Sequence, residues 1–153
     1  MKKPVKWICG VVLVTAAGLQ FFNPVLTNPP VQSGRDLMAG HPPPPQIAAL
    51  LRNACYDCHS HETRWPWYSH VVPVSRFLMS DINEGREAMN FSEWPHDDAE
   101  DARGLLGSIR TEVEEGRMPL QSYTWMHRAA RLTPAQRKAL TDWAAKAAAT
   151  LKD

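Results

Sequence analysis

Cys55, Tyr56, Asp57, Cys58 and His59 form a C-x-x-C-H run. Two thiols three residues apart fall on one helical turn, where each can add to a vinyl group on the same edge of a porphyrin. The adjacent imidazole then reaches the iron, so residue types, order and spacing are those that attachment of a c-type haem needs. Other uses of a paired cysteine have less support. A thioredoxin-like C-x-x-C needs a preceding strand and a βαβ setting, and the sequence supplies neither. A zinc site could draw on Cys55, Cys58, His61 and His70, but the usual second paired cluster is missing. A disulfide across two intervening residues would be strained as a structural staple.

A haem held by His59 has a second axial position, whose occupant decides between electron transfer and small-molecule chemistry. Met118 is the leading candidate, because its loop follows a helix end marked by Gly116 and is stiffened by Pro119. Met79 and Met89 fall in an expected helix, Met126 adjoins Trp125, and Met38 lies in a proline-rich stretch. Of the histidines, His70 and His127 are far enough from the motif to reach the other haem face, and His127 is the stronger. Met118 and His127 both stay open on the residues alone. Trp65, Trp67 and Tyr68, in a stretch broken by Pro66 and Pro73, are candidates to wall the haem or bond its propionates. Ordinary aromatic packing under a long loop is the competing reading.

The elements that position these residues read as helices. Ile47, Leu50 and Leu51 recur at helical spacing over 46–54, running directly into the motif. The stretch 74–89 places Val74, Phe77, Leu78 and Ile82 on one face, with Gly85 weakening its later part. Asp97 or Asp98 can cap a helix carrying Ala102, Leu105, Leu106, Ile109 and Val113, which Gly116 ends. Thr133, Pro134 and Gln136 open the last helix with a cap, a first-turn proline and a capping-box glutamine. Its stripe of Leu140, Trp143, Ala144, Ala147 and Leu151 can pack on the helix before the motif.

Lys2, Lys3 and Lys6 precede sixteen residues, 7–22, without a charge, the pattern of an export signal. Ala16, Ala17 and Gly18 offer small residues for cleavage, but Leu19, Phe21 and Phe22 prolong the apolar run, which favours an uncleaved anchor. Sixteen residues span about 24 Å, short of a hydrocarbon core of about 30 Å unless Val5 and Leu26 help. Lysines before the run and none close behind it put the N-terminus in the cytoplasm and the domain outside. Cys9, inside the run, reads as a buried apolar residue. The organisation expected is an anchor segment over 1–26, a proline-rich linker over 27–45 that adds nothing to the core, and a haem domain over 46–153. His41, in the linker, reads as solvated. Net charge is +1, and without the three N-terminal lysines 14 basic residues face 16 acidic ones, which gives no footprint for nucleic acid.

CYDCHSHETRWPWYS, PVS, EGREAMNFSEW, the G-x-M-P run at 116–119, and Tyr123, His127, Ala130 and 132–143 occur in an order that resembles one family. It is the bacterial haem-binding domain family related to c-type cytochromes, and the resemblance covers roughly 46–145. It implies a small, mostly helical, exported domain around one covalent haem c, with Cys55 and Cys58 as attachment points and His59 as proximal ligand. The family's G-x-M-P position falls on Met118, and His61 stands where the family often has asparagine. The expectation is therefore an all-α, c-type cytochrome-like domain behind an apolar helix, tethered to the bacterial inner membrane and facing the periplasm. It would pass single electrons between redox proteins of the periplasm or membrane, and is read as a carrier rather than an enzyme. The rival is a haem enzyme or gas or redox sensor with an open distal site.

Overall fold

The computed structural model describes residues 2–40 and 42–151, and His41 lies outside them. Among the described residues every regular element is helical. The centre of the domain is a pair of long helices, α6 (Ala99–Glu114) and α8 (Pro134–Thr150). They run antiparallel: Arg103 near the start of α6 donates to the carbonyl of Leu151 just past α8, and Arg137 near the start of α8 donates to Val113 at the end of α6. Their starts are capped as the sequence indicates, by Asp98 on the Asp101 N–H and by the reciprocal Thr133 and Gln136 bonds. Ala102, Leu106, Ile109 and Val113 of α6 meet Leu140 and Ala144 of α8, and Ile47 and Leu51 of α3 (Pro45–Ala54) complete this layer.

The rest of the chain wraps this pair. α1 (Lys2–Leu19) is apolar and none of its residues whose side chains are described is buried, so Cys9 is exposed rather than packed inside the protein. α4 (Tyr56–His59) is one turn carrying the motif, and α5 (Val74–Ala88) packs across it. α7 (Gln121–Met126) is a short helix too brief to show periodicity in the sequence.

The proline-rich stretch departs from the expectation of a free spacer. Within it, α2 (Leu37–Gly40) buries Leu37 in the same core cluster as Leu51 and Phe91. Asp36 accepts a 2.9 Å hydrogen bond from the buried Tyr56 hydroxyl, and the Trp94 N–H donates to the Arg35 carbonyl. Proline keeps this segment extended, and extended chain whose polar groups find partners on a surface is held there as a strap.

Candidate functional site

Cys55 both ends α3 and begins α4, with φ −127° and ψ −43°. Its carbonyl accepts from the N–H groups of Cys58 and His59 at 3.1 and 2.9 Å, which closes the single turn that groups the motif. Ala54, Cys58 and His59 form one wall of a largely apolar cavity of about 650 Å³. That lies within the roughly 300–1,000 Å³ of sites that enclose a cofactor or small ligand. Val74, Phe77 and Leu78 of α5 form a second wall, and Met118, Pro119 and Leu120 a third.

The imidazole on this cavity is held in one tautomer. His59 Nδ1 lies 3.2 Å from the Met89 carbonyl and so carries the proton, which leaves Nε2 free as a ligand. Burial lowers its pKa, opposed by that carbonyl, so the ring is neutral at physiological pH. The two thiols are unpaired and pushed up to about 12 by burial, with Cys58 adding to the shift of Cys55, and the nearby carboxylates of Asp57 and Asp81 to that of Cys58. They are therefore protonated at neutral pH, unlike the lowered thiols of disulfide-exchange sites. Forming a C–S bond removes the ionisable proton, and with it the cost of charging a buried sulfur. Among the described residues no three of His, Cys, Asp or Glu are grouped to hold a metal ion. His61, weighed as a zinc ligand, instead faces the Pro30 carbonyl at 3.2 Å and the Asn90 amide at 2.8 Å, and His70 is exposed.

Met118 reaches the cavity on a braced loop. Gly116 takes φ +75°, the left-handed conformation that turns the chain out of α6. Arg117 folds back to Glu112 and Glu115, and the Met118 N–H donates to the Glu112 carbonyl at 3.1 Å. Trp67 and Tyr68 also line the cavity, whereas Trp65 and Cys55 are not among its lining residues. His127 is not among the lining residues: its ring stacks at 4.0 Å on Tyr123, which does line the cavity, and Nδ1 lies 3.1 Å from the Tyr123 carbonyl. Met126 does line the cavity.

Over residues 14–146 the chain matches the model of a haem-binding domain. It belongs to that family. No curated protein and no solved structure matches the chain. The residues present fit a haem: an apolar cavity, a neutral imidazole with Nε2 free, a thioether on another wall, and a thiol beside the imidazole.

Further residues that the sequence reading does not assign to the site shape it. Asp57, between the two cysteines and 7% exposed, accepts from Arg64 Nε at 3.0 Å, from Arg64 Nη2 at 3.1 Å and from the Tyr123 hydroxyl at 2.6 Å. Gly85 lets α5 approach the motif: a Cβ there would sit 2.9 Å from the Cys58 carbonyl oxygen. Asp81 and Glu84 place two carboxyl groups on the cavity, and burial, with Glu84 adding, raises the Asp81 pKa. An acidic residue inside the motif and a glycine within an amphipathic helix are visible signals for Asp57 and Gly85. Tyr123 gives none.

Proposed function

We propose that this haem-binding domain is a monohaem c-type cytochrome, tethered to the membrane by α1, that carries single electrons between redox proteins of the periplasm or membrane. The observation that carries the reading is that Cys58, His59 and Met118, from two distant parts of the chain, meet on one apolar cavity. Cys55 and Cys58 would hold the porphyrin through thioether bonds, and His59 and Met118 would ligate its iron. A bound haem supplies an iron that gains and loses one electron. The chain does the rest. Met89 orients the imidazole, the braced loop presents the Met118 thioether, and Val74, Phe77, Leu78 and Leu120 exclude water. A His and Met ligand pair raises the potential, and a dry site lowers the reorganisation that each electron requires.

The test is protein matured with a haem-attachment system, run on a denaturing gel and stained for haem. Wild type should retain haem after denaturation, and the Cys55→Ala/Cys58→Ala variant should lose it. Haem lost from denatured wild type, or kept by the double variant, refutes covalent attachment. The same preparation separates the carrier from the sensor reading: a six-coordinate haem binds carbon monoxide slowly, because a ligand must first leave, whereas fast stoichiometric binding points to an open distal site.

A further inference from the structure

A short run of hydrogen bonds joins the end of the apolar helix to the cavity wall. Gln20 sits in the last turn of the 19-residue apolar stretch Pro4–Phe22. Its side-chain oxygen accepts from the Val72 N–H at 3.2 Å and its Nε2 lies 3.4 Å from the Val72 carbonyl, so one amide satisfies both backbone groups of that residue. Asn23 donates to the His70 carbonyl at 3.0 Å, and Arg76 donates to the Phe22 carbonyl at 2.9 Å. No slack separates the apolar stretch from residues 70–76.

Depth follows from length. Nineteen helical residues rise about 28 Å, close to the roughly 30 Å of a hydrocarbon core. With α1 across a bilayer, Phe22 reaches the edge of the hydrocarbon, and Val72, bonded to Gln20, is held at the same level. The side chains there suit that depth. Phe21 is 91% exposed, Phe22 63% and Val71 39%, and none of the three lines the cavity. Next to them, Val74 and Phe77 belong to the cavity wall. Contiguous exposed apolar groups of this kind mark a surface that meets something apolar, and the neighbouring Arg76 supplies a cation suited to lipid phosphates. Backbone at this level also needs internal partners, which the Gln20 amide gives Val72.

We infer that the face made by Phe21, Phe22 and Val71 rests on the lipid surface, which holds the adjoining α5 wall of the haem cavity at headgroup level. The domain is thereby fixed to the bilayer by its cavity side, and does not hang from a spacer. This rests on the reading of α1 as a retained anchor. The experiment uses the full-length haem-loaded protein, with Cys9→Ser, in vesicles of phosphatidylcholine and phosphatidylglycerol. A nitroxide is placed singly at Val71→Cys, at Leu13→Cys in α1, and at Thr111→Cys on α6, which contributes nothing to the cavity lining. Collision with oxygen, which concentrates in lipid, is compared with collision with a water-soluble nickel complex. Positions 13 and 71 should favour oxygen several-fold, and position 111 should favour nickel. If 71 behaves like 111 while 13 stays in lipid, the anchor stands and the docking fails. If 13 also favours nickel, the anchor fails and takes the docking with it. Low collision with both reagents at 71 means that protein covers the face, which equally overturns a lipid contact.

Discussion

The Tyr123 hydroxyl lies 2.6 Å from Asp57 Oδ2, so the turn that carries the cysteines is bonded directly to the short helix that follows the Met118 loop. Asp57 is buried, and its other partner is Arg64, whose pKa this carboxylate raises against the lowering effect of burial. The bond therefore fixes the distance between the two halves of the site. Tyr123→Phe removes the donor and keeps the ring that stacks on His127. A hydrogen bond to a charged group contributes about 1.5–3 kcal/mol, and the cost should lie toward the low end because Arg64 still serves Asp57. Urea midpoints of wild type and variant check this. Carbon monoxide should also bind the reduced variant faster, since the loop that presents Met118 is less restrained.

Gly85 makes the opposite kind of contact, close approach without a bond. Alanine is the better helix former by roughly 0.8–1 kcal/mol, but its Cβ would be forced against the Cys58 backbone at 2.9 Å. Overpacking costs about 1–3 kcal/mol, so Gly85→Ala should destabilise and lower the yield of haem-loaded protein. Gly104, in α6 with nothing within 4 Å of its added Cβ, is the control. Gly104→Ala should raise the melting temperature.

Much of this molecule is legible in its sequence, because caps and apolar stripes are local signals. Asp98, Gly116 and the Thr133 and Gln136 box mark helix ends where the structure has them. The cysteine motif, likewise contiguous, points to haem, and the family match over 14–146 agrees. What is not legible is contact between distant segments. Asp57 and Tyr123 are 66 residues apart, and nothing local pairs them. The prolines before α3 read as a spacer, yet Leu37 among them is 4% exposed. Deleting a leucine side chain from such a place costs about 2–5 kcal/mol. Leu37→Ala should therefore destabilise the domain by that order in urea, whereas a free linker would show no change.

Met118 and His127 both stay open from the residues; in the structure Met118 lines the cavity, whereas His127 does not and stacks on the lining residue Tyr123. A thioether ligand favours ferrous over ferric iron, so Met118→Ala should lower the reduction potential and open the site to carbon monoxide. Met118→His should lower the potential while keeping the haem low-spin. The oxidised wild type should show the weak long-wavelength sulfur-to-iron band, and Met118→Ala should lose it. His127→Ala should keep the band, because that ring bonds the Tyr123 carbonyl and Met118 stays in place. Met126, which also lines the cavity, is the second sulfur to exclude, and Met126→Leu should leave both band and potential unchanged. A band that survives Met118→Ala and vanishes in Met126→Leu would move the ligand to α7. A wild type without the band, whose iron becomes high-spin in His127→Ala, would make the ligation bis-histidine and would require the 121–127 segment to turn its imidazole into the cavity.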